Sequence, residues 1–170
     1  LDEIEQVQVP IVLIDRELKR DLPVSAVFAD HEQGTRQAVA RMIELGHRHI
    51  GLLSGRRGIF SIRATEAAFR SECERAGVEA LIEPGSLRPE DGYRAAMRLL
   101  ERDPRPTALL TASNQILVGA LHALRELGLR IPADISLVTF DEIPLLDLFT
   151  PPIAVISRQP RELGRRAAEE

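Results

Sequence analysis

Hydrophobic residues fall in short, continuously apolar runs that alternate with longer amphipathic stretches. The four central runs lie at residues 50–54, 78–82, 107–112 and 135–140. Runs of this length and continuity are typical of parallel strands that are covered on both faces. Shorter runs at residues 9–14, 25–29 and 153–157 predict further strands on the two flanks.

Apolar side chains between the runs recur at the 3.6-residue period of an amphipathic helix. The predicted helices span residues 33–45, 61–76, 89–102, 114–127 and 160–170. Gly46, Gly77 and Gly128 follow three of these stretches, where glycine commonly ends a helix. Ser61 is a candidate N-cap of the second helix, and Asn114 is a candidate cap of the fourth.

The order of these elements predicts an α/β fold with a doubly wound parallel sheet and right-handed crossovers. The strands and helices from residue 49 to about 141 make one complete unit, whereas the flanks are too short to close a second sheet. We therefore expect a piece of a two-lobed protein. Residues 1–46 would be part of the N-terminal lobe, residues 47–153 the complete C-terminal lobe, and residues 154–170 a return segment.

Composition changes this prediction little. The chain has 170 residues, of which 44% are hydrophobic, and a formal net charge of −4 that does not favour nucleic acid as a partner of this segment alone. No apolar run approaches the roughly 20 residues of a membrane span, and no signal peptide is recognisable. The single Cys73 cannot form an internal disulfide, and burial on a helix is the expected role. These features favour a cytoplasmic protein without membrane partners.

Polar residues follow several strands at the edge where an open parallel sheet binds ligands. Asp141, Asn114 and the Gly55 loop should therefore line one site. Asp141 needs hydrogen-bond donors if it is buried, and a pair of ligand hydroxyls would supply them. A helix cap or an ion pair would satisfy Asp141 equally, and Asn114 can act as a cap, a ligand contact or both.

Two arginine groups near the Gly55 loop suggest the charge of the ligand. Arg63 carries a fork of donors that suits a hydroxyl pair or a carboxylate, although an exposed arginine at a helix start is the ordinary alternative. Ser61 could add a hydroxyl contact. Arg56 and Arg57 beside a helix N-terminus could favour an anionic ligand such as a sugar phosphate or sugar acid, although a solvated loop explains them as well.

Catalytic motifs have little support in this chain. The four histidines show no metal-ligand spacing with Cys73, and the Gly55 loop lacks the lysine and length of a phosphate-binding loop. We predict no catalytic residues, no metal site and no cofactor. An α/β enzyme stays the least favoured alternative, because doubly wound sheets host many activities.

Five ordered blocks resemble one known family. They are VPIVLIDR at 9–16, DHEQGTR at 30–36, LGHRHI at 45–50, PTALL at 106–110 and IPADISLVTFDEIP at 131–144. Together they look like the LacI/GalR family of bacterial transcription regulators. The resemblance implies a periplasmic-binding-protein-like type I core that closes on a small effector, usually a sugar or nucleobase. It also implies an N-terminal helix-turn-helix, absent from this chain, through which alone the protein would contact operator DNA. A transport-type sugar-binding receptor of the same fold is the alternative.

The resemblance also implies a set of functional residues. Asp141 matches the family's effector-binding aspartate, and the family's arginine matches either Arg63 or Thr65. The usual Asn-Asp pair is matched to Asn114 and Gln115. Leu87 stands where many relatives carry an aromatic residue that stacks on the effector.

The N-terminal side and the partner surface complete these expectations. Asp15 or Asp30 would contribute from the other lobe, the usual Asp-Asn turn being Asp30-His31 here. Related regulators pair through the region after the last central strand, so a homodimer is expected. Its candidate interface residues are Leu145, Leu146, Leu148 and Phe149. Covering the sheet edge is the alternative role of these side chains.

Overall fold

A computed structural model describes the protein at residues 9–18 and 24–170. The strands are β1 (Val12–Ile14), β2 (Ser25–Val27), β3 (His49–Leu53), β4 (Glu79–Glu83), β5 (Ala108–Thr111), β6 (Ser136–Phe140) and β7 (Ala154–Ile156). The α-helices are α1 (His31–Glu44), α2 (Phe60–Arg75), α3 (Pro89–Leu100), α4 (Asn114–Glu126) and α5 (Pro160–Glu169). A short 3-10 helix, Pro144–Leu148, connects β6 to β7.

The chain divides into two compact units. The first unit comprises Leu1–Ala29 and Gln159–Glu170, and within its described part β1 pairs with β2 in parallel beside α5. The second unit, Asp30–Arg158, contains the five-stranded parallel sheet and helices α1 to α4. Both predicted lobe boundaries, at 46/47 and 153/154, fall inside this second unit, because α1 and β7 pack with the sheet. The lobes of the whole protein stay a prediction.

The sheet of the second unit has the strand order β4-β3-β5-β6-β7. The chain moves from β3 outward to β4 and then returns to the other side of β3 to form β5. This reversal places a switch point between β3 and β5, where open α/β sheets form a crevice at the carboxyl ends of the strands. The expected α/β doubly wound fold is confirmed.

Alternate residues of the strands serve two separate cores. Ile50, Leu52 and Leu110 pack with α1 and α2 on one face, whereas Leu53 and Leu109 pack with α3 and α4 on the other. All five side chains are 0% exposed. This double burial explains why the strands are continuously apolar, since neither face of the sheet meets water.

The predicted elements are present with shifted ends, and two predicted helix caps are wrong. Ser61 does not cap α2, which begins one residue earlier at Phe60 after the extended Ile59. The cap of α4 is Ser113, whose hydroxyl accepts a hydrogen bond from the Ile116 amide, and Asn114 is the first helical residue. None of the helices in the described part of the chain is long and apolar enough to cross a bilayer.

Candidate functional site

The switch point brings two polar turns side by side. Ser54 and Gly55 follow β3, and the Ala112-Ser113-Asn114 turn follows β5. Backbone hydrogen bonds fix their register, because the Ala112 amide donates to the Leu53 carbonyl at 3.0 Å. Asn114 is half-buried at the start of α4, one residue beyond the Ser113 cap. Its side chain is therefore not needed to cap the N-terminus of the helix.

Asp141 is the first residue after β6 and forms a two-pronged ion pair with Arg158. The Arg158 Nε donates to Asp141 Oδ1 and its Nη2 donates to Oδ2, both at 2.6 Å. Asp141 has a φ of +70°, a left-handed conformation that aspartate tolerates better than most residues. The ion pair that sequence reasoning left open as an alternative is therefore present.

The Gly55 loop contains a buried carboxylate that sequence reasoning missed. Glu66 on α2 is 7% exposed, and it accepts a hydrogen bond from the Ser54 hydroxyl at 2.7 Å. Arg57 donates to its second oxygen at 3.2 Å, which balances the buried charge. The signal was available, because Glu66 is spaced four and three residues from Ile62 and Phe69 on the buried face of α2.

Arg63 and Ser61 lie on the first turn of α2. Arg63 is exposed, and its Nη1 donates to the Gly58 carbonyl at 3.3 Å, so the guanidinium stays close to the loop. Ser61 is half-buried inside the helix. Thr65, the other position matched to the family's arginine, is 2% exposed.

Leu87 reaches the same edge from the loop after β4. It is 40% exposed, and its Cδ2 lies 2.8 Å from the place a methyl carbon would take on Gly55. Gly55 therefore leaves room for the Leu87 side chain beside the β3 loop. Asp91 nearby is hydrogen-bonded by Ser86 and Arg94, and these bonds hold the pKa of its carboxyl below the ordinary range.

The two predicted aspartates of the N-terminal side have backbone partners. Asp30 is the N-cap of α1 and accepts a hydrogen bond from the Gln33 amide at 2.8 Å. The adjacent His31 ring lies 5.7 Å from the Phe140 ring, which brings Asp30 to the carboxyl edge of the sheet. Asp15, in the other compact unit, accepts from the Ala29 amide at 2.7 Å.

The segment proposed for dimerisation is only partly available to a partner. Leu146 is 5% exposed and belongs to the core, and Phe149 packs against that core. Leu148 is 79% exposed. The side chain of Leu145 lies outside the described part. The alternative of covering the sheet thus holds for Leu146, because the 3-10 helix turns it inward.

The remaining titratable clusters lie elsewhere. His47 bridges two hydroxyls at the amino edge of the sheet, with Nδ1 2.8 Å from Thr107 Oγ1 and Nε2 3.0 Å from Ser136 Oγ. Burial lowers the pKa of this imidazole. Across residues 9–18 and 24–170, no three His, Cys, Asp or Glu side chains are grouped as metal ligands.

Comparison with known proteins gives this arrangement a family. Residues 39–170 match the family described as "Periplasmic binding protein-like domain". The lactose operon repressor of Escherichia coli K12 is 32% identical over 162 residues, an alignment that covers 95% of this chain and 44% of the repressor. The chain belongs to the LacI/GalR group of the periplasmic-binding-protein-like family.

Further members of the LacI/GalR group resemble the chain to a similar degree. The transcriptional repressor PurR of Haemophilus influenzae is 34% identical over 145 residues, which covers 83% of this chain and 43% of that repressor. The solved structure of a dimeric Lac repressor with a C-terminal deletion matches with a TM-score of 0.83 and 31% identity, covering 98% of this chain and 61% of that one. The chain thus spans about half the length of the curated relatives it matches.

Proposed function

We propose that this chain is the effector-binding core of a LacI-type transcriptional regulator, and that it binds a sugar or sugar derivative at the carboxyl edge of the five-stranded sheet. The observation that carries the proposal is the switch point between β3 and β5 with polar residues at its rim. The relatives named above are transcriptional repressors.

The site would bind its ligand by hydrogen bonds rather than act on it chemically. Neighbouring strands lie about 4.8 Å apart, so the ends of β3 and β6, on either side of β5, are separated by about 10 Å. One small polyol could therefore contact Asn114, Asp141 and Arg63 together. Leu87 supplies the apolar wall against which a ring could rest, and Ser61 and Asp30 complete the proposed set.

Binding would act on transcription through a change in the population of states. A ligand shifts a conformational equilibrium only by its differential affinity for the states involved. In the natural protein, that shift would change operator affinity through a DNA-binding domain, which by linkage also makes operator binding alter ligand affinity. We place the protein in the cytoplasm, where operator DNA is found.

A matched pair of aspartate variants tests the site. Asp141→Asn and Asp134→Asn each remove a carboxylate that an arginine holds, but Asp134 pairs with Arg130 before β6, at the opposite edge of the sheet. Sugars, sugar acids and nucleobases would be screened by thermal shift on the natural full-length protein. We expect the thermal shift caused by any stabilising compound to change with Asp141→Asn and to stay the same with Asp134→Asn. Equal responses of the two variants would contradict the assigned site.

We also propose that the protein acts as a homodimer, as the dimeric Lac repressor does. The exposed Leu148 is the side chain of the predicted segment best placed to meet a second copy. Sedimentation of wild type and Leu148→Asp at micromolar concentration tests this. A wild-type protein that stays monomeric would contradict the proposed dimer. A Leu148→Asp variant that dimerises as tightly as wild type would contradict the role of Leu148 in the interface.

A further inference from the structure

The ion pair with Arg158 limits the hydrogen bonds that Asp141 can accept from a ligand. Its guanidinium meets both carboxylate oxygens at 2.6 Å, in the parallel two-bond geometry that is the strongest arginine–carboxylate contact. The pair is electrically neutral, and two of the roughly four acceptor positions of the carboxylate are filled. Asp141 is therefore a poorer clamp for two ligand hydroxyls than a lone carboxylate, and it no longer repels an anion.

The Gly55 loop and the first turn of α2 add positive charge to the same edge. Residues 54–65 contain three arginines, Arg56, Arg57 and Arg63, and no acidic residue, although the chain as a whole has a net charge of −4. Glu66, the next acidic residue, is buried and already bonded to Ser54 and Arg57. This segment is therefore basic although the chain as a whole is acidic.

A third acidic group of the edge is also matched by an arginine. Asp91, at the start of α3, is held by Arg94 and by the Ser86 hydroxyl. Asp141, Glu66 and Asp91 therefore each have an arginine partner. Because the charge of each of these three carboxylates is balanced by an arginine, the arginines of residues 54–65 favour a negatively charged guest at this edge.

We propose that the ligand of this site is an acidic sugar derivative, a sugar acid or a sugar phosphate, and that Arg158 is the residue that selects it. This inference rests on the proposed function, because it names the ligand class of the same site. The anionic group binds beside the guanidinium of Arg158, and the hydroxyls of the guest reach Asn114 and the outer lone pairs of Asp141. A neutral sugar of the same shape would gain only the second set of contacts.

Matched compounds separate the charge of the ligand from its shape. D-glucose is paired with D-gluconate, and D-ribose with D-ribose phosphate, so that a carboxylate and a phosphate are each compared with a neutral parent. Binding to the natural full-length protein is measured by calorimetry, with inorganic phosphate as a further probe. In at least one pair we expect the acidic member to bind about tenfold more tightly or better, because a charge-assisted hydrogen bond is roughly twice as strong as a neutral one.

Arg158→Gln removes the charge that makes this selection. We expect it to abolish most of the preference for the acidic member, and Arg158→Lys to retain part of it with weaker binding. Arg130→Gln is the matched control, since it breaks the Arg130–Asp134 pair at the opposite edge of the sheet and should leave the preference unchanged. Circular dichroism of each variant confirms that it is folded, and Arg158→Lys carries the test if Arg158→Gln does not fold.

The outcomes separate this inference from the proposed function. Neutral members that bind as tightly as their acidic partners would overturn the inference and leave the proposed function standing. A preference that survives in Arg158→Gln would overturn the assignment to Arg158. Inorganic phosphate that binds as well as the sugar phosphate would show an ion site only and would also overturn it. If no member of any pair binds, the proposed sugar-binding function fails, and this inference fails with it.

Discussion

Gly119 of α4 lies against the backbone of Pro89 in α3, and a methyl carbon at position 119 would be 2.0 Å from the Pro89 carbonyl oxygen. The contact is reciprocal, because a methyl carbon on Gly92 would be 2.6 Å from the Ile116 carbonyl oxygen. The two helices therefore meet through their backbones. This close approach fixes the start of α4, which carries Asn114, relative to α3.

Gly119→Ala should destabilise the protein. In an ordinary helix the change would gain up to about 1 kcal/mol, but here the methyl group meets backbone atoms that cannot move aside. We expect a net loss of about 1–3 kcal/mol in the free energy of unfolding, measured by urea titration. Gly164→Ala is the control, because Gly164 in α5 has open space around it and should be neutral or slightly stabilising. A Gly119→Ala protein as stable as wild type would refute the close contact.

Ser113 and Asn114 should separate capping from ligand binding. Ser113→Ala removes the hydroxyl that accepts from the Ile116 amide at 3.3 Å, and we expect it to cost about 1 kcal/mol of stability. Asn114→Ala should cost less stability but weaken ligand binding. Thermal melts with and without a bound compound measure both effects. A larger loss of stability from Asn114→Ala than from Ser113→Ala would indicate that Asn114 caps the helix and would contradict the assignment to Ser113.

His47 should make stability depend on pH. Burial lowers the pKa of this imidazole below its ordinary value of 6.5, so the unfolded chain binds the proton more readily than the folded chain. Its contribution to stability is therefore present above that value and is lost as the pH falls below it. Urea titrations at several pH values should show a smaller acid-side loss in His47→Gln than in wild type. His122→Gln, at an exposed position of α4, should keep the wild-type profile.

Cys73 should be unreactive in the folded protein. It is 0% exposed, and burial raises the pKa of its thiol to about 11 from an ordinary 9.0, with the charge of Glu72 adding to the shift. The thiolate fraction near neutral pH is then about a hundredfold lower than that of an ordinary thiol, before access is considered. Ellman's reagent should react with Cys73 only after denaturation. As a control, Leu45→Cys in a Cys73→Ala background places a thiol at a position that is 60% exposed and should react at once.

The fold could be predicted because local patterns and tertiary packing agree. The strands carry apolar residues on both faces, as Ile50 on one face and Leu109 on the other show. This pattern is typical of a parallel sheet that is covered on both sides. Gly46, Gly77 and Gly128 adopt φ values of +93°, +64° and +68°, so each marks a real helix end. Errors at helix starts were of one residue for α2 and two residues for α1, the scale on which capping geometry decides.

The candidate site was predicted less completely, because its main contacts join residues far apart in sequence. Asp141 and Arg158 are 17 residues apart and meet only because β7 lies beside β6 in the sheet. The apolar segment around Leu146 was compatible with an exposed interface and with a cover for the sheet edge. Only the 3-10 turn distinguishes the buried Leu146 from the exposed Leu148. Glu66 was missed although its position on an apolar helix face was visible in the sequence.

A crystal structure of the natural full-length protein with its tightest-binding sugar derivative would test the central claim most directly. We predict that the compound lies at the carboxyl ends of β3, β5 and β6, with polar atoms within about 3.2 Å of the Asp141–Arg158 pair and of Asn114 or Arg63. A compound bound at the amino edge beside His47, or on the surface around Leu148, would contradict the account.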